Sequence, residues 1–223
     1  MTEQAIQITS TEPASASVIW LHGLGADGND FVPVVKMLNL PHIRFTLPHA
    51  PYLKITRSNG YEMRAWYDIY SLTPISREDA DGIAESQLQI EKLIAQEMSR
   101  GIPAERIVLA GFSQGGAIAL YTSLRYKQPL AGVLALSTYL PLRAQLATEK
   151  SEANLAIPIF MAHGRDDAVI TLETSQVSFR LLQEHYANIE WHEYAMEHSV
   201  CAQEIEDIRQ FLLRVLPPYR LAK

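Results

Sequence analysis

Residues 106–120 read RIVLAGFSQGGAIAL. An apolar run at 106–111 meets a glycine-flanked turn, after which Ala117, Leu120 and Leu124 recur at helical spacing. Gly111-Phe112-Ser113-Gln114-Gly115 is a G-x-S-x-G pattern, and its strand and helix flanks matter more than the match. A turn this tight forces the serine into a strained backbone conformation. It also brings strand and helix so close that the residues two before and two after the serine must be small. The serine hydroxyl is thereby lifted above the carboxyl edge of a sheet, where open α/β sheets carry their sites. The helix N-terminus supplies free N–H groups beside it.

Short apolar runs alternate with amphipathic stretches along the rest of the chain. Segments 17–22, 43–47, 106–111, 130–136, 157–163 and 189–194 read as strands. Ile83, Ile90, Ile94 and Met98 share one helix face, stopped by Gly101 and Pro103; Ile205, Ile208, Leu212 and Val215 share a face of the last helix. The alternation predicts an α/β fold with a mostly parallel central sheet and helices on both faces. No repeat, low-complexity tract or Gly/Ser-rich linker divides the chain, so one domain is expected over 1–223. Segment 48–74 resists the pattern: it is rich in aromatics (Tyr52, Tyr61, Trp66, Tyr67, Tyr70) and reads as a long functional loop or as missed elements.

A net charge of −6 with scattered acids gives no basic stripe for nucleic acid or anionic lipid. The single cysteine, Cys201, excludes an intrachain disulfide and a cysteine-based zinc finger. No secretory signal pattern and no membrane-length apolar run is present, which points to a cytoplasmic protein without integral membrane association.

A serine hydroxyl is a weak nucleophile at neutral pH and needs a base, which in turn needs an orienting acid. On a G-x-S-x-G elbow both follow the serine, acid first. The strand at 157–163 runs into Gly164-Arg165-Asp166-Asp167, and spacing alone leaves Asp166 and Asp167 as alternatives. Among the later histidines, His185 lies on a helical pattern and His192 within a strand. His198 sits in a loop between the last strand and the last helix, suited to reach a neighbouring strand end. Two backbone N–H groups must face the developing oxyanion, one from the residue after the nucleophile, Gln114. The other is expected from His22-Gly23-Leu24-Gly25, after the strand at 17–22. Gly23, Gly25 and Gly28 also have the form of a dinucleotide fingerprint, but Asp27, Asn29 and Asp30 would crowd a pyrophosphate with negative charge.

Five colinear motifs carry a resemblance over nearly the whole chain: VIWLHGLGADG at 18–28, RAWYDI at 64–69, GFSQGG at 111–116, HGRDDAV at 163–169 and MEHSV at 196–200. The chain resembles the carboxylesterase and acyl-protein thioesterase group of α/β-hydrolases. The resemblance implies Ser113 as nucleophile, His198 as base and Asp167, four residues after the histidine of H-G-x-x-D, as acid. It implies Leu24 and Gln114 as oxyanion donors, no cofactor or metal, and a small ester or acyl thioester as substrate. Lysophospholipids are an alternative, and a homodimer is a permitted assembly. Trp66, Leu72, Pro74 and Ile75 correspond to the region beside the acyl groove. A non-catalytic ligand-binding protein on the same fold is the remote alternative. Three positions depart from the family pattern: Glu197 replaces a glycine before the base, Thr138 a small residue, and Ile170 a proline. A carboxylate at 197 facing the imidazole would stabilise its charged form.

Overall fold

The computed structural model describes residues 3–9, 13–71 and 77–219. A seven-stranded sheet runs in the order β1 (Ile6–Ile8), β3 (Ile43–Leu47), β2 (Ala16–Leu21), β6 (Ile107–Phe112), β7 (Gly132–Leu136), β8 (Ile159–Gly164), β9 (Ile189–Tyr194). Only β1 is antiparallel to its neighbour. Side chains alternate between the faces of a strand, so each central strand must be apolar on both. Ile19, Leu109, Val133 and Met161 enter one core, and Val18, Val108, Leu134 and Phe160 enter the other.

Helix α2 (Ala80–Ser99), α3 (Gln114–Arg125), the short α4 (Leu146–Glu149) and α5 (Leu172–Gln183) cover the first face, and α1 (Val32–Leu38) and α6 (Ala202–Val215) the second. Every residue of α3 is buried, because this helix lies between the sheet and α2. Ile83, Ile90 and Ile94 of α2 face inward as their spacing predicts. Met98 is only half-buried, and Glu97 takes the inward place, paired with Arg44 at 3.3 Å and Arg100 at 2.9 Å. Gly101 ends the helix at a φ of +92°.

Segment 48–74 does hide elements: β4 (Tyr52–Ile55) and β5 (Tyr61–Arg64) pair antiparallel as a separate hairpin. Among the described residues no helix is long and apolar enough to cross a membrane. The loops leaving the carboxyl ends of β2, β6, β8 and β9 carry residues 22–25, Ser113, Asp167 and His198 respectively, so four chain-distant segments converge at one rim.

Candidate active site

The turn from β6 into α3 is as tight as its glycines predict. A Cβ on Gly111 would lie 2.3 Å from the Gly115 carbonyl, and one on Gly115 2.3 Å from the Leu21 carbonyl, so neither position accepts a side chain. Between them Ser113 takes φ 54°, ψ −122°, a sparsely populated conformation for a non-glycine residue. The Thr138 hydroxyl donates to the Ser113 carbonyl at 2.6 Å, helping to hold that conformation. Thr138, a departure from the family pattern, thus does work at the elbow.

His198 bridges the two other groups: Nε2 lies 2.9 Å from Ser113 Oγ and Nδ1 2.6 Å from Asp167 Oδ2. Its ring packs on Phe112 at a centroid distance of 4.7 Å. The loop carrying His198 lies against Gly164, where a Cβ would meet the Met196 and Glu197 carbonyls at 2.3 and 2.4 Å. Of the two aspartates left open by spacing, Asp167 is 5% exposed and turned inward, whereas Asp166 is exposed.

Asp167 Oδ1 accepts the N–H groups of Val169 at 2.8 Å and Ile170 at 2.9 Å. A proline at 170 would lack that donor. Burial alone would raise the carboxyl's pKa, but hydrogen bonds from His163, His198 and the Ile170 amide outweigh it and hold Asp167 well below the usual carboxylate range. Glu197 is exposed and makes no hydrogen bond or ion pair to His198 among the described residues, so its charge faces water.

A cleft of about 280 Å³ opens over Ser113. Leu24, Ile69, Phe112, Val169 and Ile170 give it apolar walls, with Asp30 and Arg57 at its border. Leu24 and Gln114 line it beside the serine, and among the described residues neither amide N–H donates to a backbone carbonyl. Gln114 is at the first helical position, where the N–H has no partner within the helix.

The Gln114 side chain is anchored on the opposite side: Oε1 accepts the Trp66 amide at 2.8 Å and Nε2 donates to the Tyr67 carbonyl at 2.7 Å. Trp66, expected at the substrate, is instead 2% exposed and absent from the walls of this cleft. Its indole N–H donates to the His22 carbonyl at 2.9 Å, so it supports the loop carrying Leu24. Leu72, Pro74 and Ile75 lie outside the described residues.

Four contributors escaped the sequence reading. His22 donates from Nδ1 to the Gly23 carbonyl at 2.7 Å and accepts the Ala50 amide on Nε2 at 3.0 Å. Burial lowers its pKa, which suits the neutral ring these contacts require. Tyr67 and Tyr139 share a 2.8 Å hydroxyl contact at the cleft, and burial pushes the Tyr139 phenol up to about 12. His163 is buried beside Asp167. The histidine next to glycine in each of the HG pairs at 22–23 and 163–164 was the available signal.

His185 lies beyond the end of α5, its ring 3.1 Å from Lys150 Nζ, and His192 stacks on Phe160; neither lines the cleft over Ser113. The glycines at 23, 25 and 28 do not open a helix, since α1 begins only at Val32; Gly28 instead packs against the Leu47 carbonyl. Among the described residues no group of three or more His, Cys, Asp or Glu side chains is arranged to hold a metal ion. A larger hollow of about 900 Å³, lined by Thr46, His49, Arg64, Leu93 and Arg100 among others, contains neither Ser113 nor His198.

The phospholipase/carboxylesterase family model matches residues 2–216. An acyl-protein thioesterase 1 of Mycosarcoma maydis is 41% identical over 221 residues, covering 91% of this chain and 92% of that protein. An acyl-protein thioesterase 1 of Cryptococcus neoformans var. neoformans serotype D is 38% identical over 230 residues, covering 95% and 97%. The crystal structure of acyl-protein thioesterase 2 from Zea mays superimposes with a TM-score of 0.87 at 25% identity, covering 96% of this chain and 99% of that one. A serine raised on a strained elbow, a match across nearly the full chain and relatives near two-fifths identity lead to one conclusion: this chain belongs to the phospholipase/carboxylesterase family of serine hydrolases, on the α/β-hydrolase fold.

Proposed function

We propose that this chain hydrolyses carboxylic esters and acyl thioesters through a covalent acyl-enzyme on Ser113, with His198 as general base and Asp167 as the acid that orients it. The observation that carries the reading is one imidazole within hydrogen-bond distance of both Ser113 Oγ, at 2.9 Å, and Asp167 Oδ2, at 2.6 Å. Asp167 is ionised at neutral pH and accepts the Nδ1–H, which leaves Nε2 bare and facing the serine. Nε2 takes the hydroxyl proton as Oγ attacks the acyl carbon. The oxyanion that forms sits between the Leu24 and Gln114 amides, each such donor contributing roughly 100- to 1000-fold. His198 then returns the proton to the departing alcohol or thiol. Water repeats the sequence on the acyl-enzyme: Nε2 takes its proton, the hydroxyl adds to the acyl carbon, and Ser113 leaves reprotonated with release of the free acid.

The apolar cleft walls suit a hydrocarbon acyl chain, and similarity to acyl-protein thioesterases favours an acyl-protein thioester over a small ester. Rates against p-nitrophenyl esters of increasing chain length, beside a palmitoylated thioester peptide, separate the two. Ser113→Ala should lose activity by on the order of a million-fold and should no longer take up a fluorophosphonate probe. Retention of more than a few percent of activity would remove Ser113 from the mechanism.

A further inference from the structure

We propose that His163 is a positioning residue for the triad acid: its Nε2–H braces Asp167 and competes with His198 for the same carboxylate oxygen. The inference rests on the acyl-enzyme reading above. His163 is the penultimate residue of β8, just before Gly164, and is 0% exposed. Its Nε2 lies 2.8 Å from the Ile170 carbonyl, which can only accept, so Nε2 carries the hydrogen. The same nitrogen is 3.3 Å from Asp167 Oδ2, the oxygen that takes the His198 Nδ1–H. One ring therefore spans the loop from 164 to 170, touching both its acid and its far end.

Packing alone does not account for an imidazole here. His163 Nδ1 is buried with no partner among the described residues, an uncompensated polar atom that an aliphatic side chain would avoid. Trp191 lies parallel to the ring at 6.3 Å and offers it no hydrogen-bond partner. The imidazole is explained by what its other nitrogen does at Oδ2 and at the Ile170 carbonyl.

Two effects follow. The brace fixes the carboxylate plane so that Oδ2 stays in line with His198 Nδ1. A second donor on Oδ2 also draws charge from it, so the carboxylate stabilises a protonated His198 less. The other ionisable side chains of the two loops, Arg165, Asp166 and Glu197, are exposed, while Asp30 and Arg57 line the cleft. Among the described residues, His163 and His198 are thus the titratable groups in contact with Asp167.

The test compares His163→Leu, which removes the donor, His163→Gln, which can set an amide N–H near the position of Nε2, and His163→Asn, which is too short. For each, kcat and kcat/KM are measured against a p-nitrophenyl ester from pH 5 to 9, with near-ultraviolet circular dichroism confirming the fold. Leu and Asn should lower kcat by roughly tenfold or more with KM little changed. They should also move the acid limb up by roughly half a pH unit, and Gln should restore both. If the Leu variant does not fold, the split between Gln and Asn decides. Wild-type kcat and an unmoved limb in a folded Leu variant, or equal behaviour of Gln and Asn, would overturn the proposal. Failure of Ser113→Ala to abolish activity would instead overturn the acyl-enzyme reading beneath it.

Discussion

Replacing Asp167 by asparagine exchanges one acceptor for an NH₂ group in a site where every partner is a donor. Oδ1 receives two backbone N–H groups, from Val169 and Ile170, and Oδ2 receives the His198 Nδ1–H, with the His163 Nε2–H 3.3 Å away as a weaker second approach. Asparagine must turn its NH₂ toward one pair. The two backbone donors, at 2.8 and 2.9 Å, cannot change, so the amide oxygen goes to them and the NH₂ faces the rings. His198 avoids a donor–donor clash only by adopting the other tautomer, with Nδ1 bare and Nε2–H aimed at Ser113. In that state it cannot take the serine proton. Loss of base catalysis by a wrong tautomer amounts to about 10⁴-fold, or about 5 kcal/mol of barrier. Steady-state kcat/KM for Asp167→Asn at pH 7.5 should drop by that factor, with the elbow and the oxyanion donors untouched. The native carboxylate also contributes stability, because its pKa is depressed in the folded state. That contribution is present above the ordinary carboxylate range and is lost as pH falls through the folded-state value, so the variant should melt lower at neutral pH. Activity within tenfold of the parent, in a folded variant, would refute the tautomer argument.

Other outcomes follow from single contacts. Gly164→Ala places a Cβ 2.3 Å from the Met196 carbonyl, which must push the His198 loop by about 1 Å; kcat should fall by roughly 100-fold, read on the same ester. Thr138→Val keeps the volume but removes the 2.6 Å donor to the Ser113 carbonyl; calorimetry should register about 1 kcal/mol lost, a melting point lower by about 2–4 °C. Glu204 is fully buried, and burial, with Asp207 nearby, outweighs the Cys201 backbone N–H and raises its pKa to about 8. Between its ordinary range and pH 8 the folded state binds the extra proton, so stability declines as pH rises through that window. Glu204→Gln should flatten the decline, with a melting-point gain that is larger at pH 8 than at pH 5.

Much of this architecture was legible because its cause is local. β3 and β9 begin and end where the apolar runs at 43–47 and 189–194 do, and the elbow declared itself through glycines that the backbone contacts require. The β4–β5 hairpin was missed because Tyr52, Lys54, Tyr61 and Glu62 are exposed and give no apolar run. Its one cue was the Asn59-Gly60 pair, with φ values of 54° and 76°. The choice between Asp166 and Asp167 could not come from spacing, because it depends on which side chain the loop turns inward beneath His198. The family resemblance sets Trp66 beside the acyl groove, whereas its indole N–H is spent on the His22 carbonyl. The second histidine on Asp167 belongs to the same class: its partners, Asp167 and Ile170, are fixed by a loop path that no periodicity encodes.

Gln114 has a further consequence for how substrate preference can change. In the mechanism proposed above its amide serves the oxyanion, while its carboxamide grips the main chain at Trp66 and Tyr67, so one residue would weld the reaction centre to a side of the trough. Reshaping that side would disturb the chemistry along with the fit. Diversification toward new acyl groups is therefore steered to Ile69 and Val169, wall positions that Gln114 does not hold.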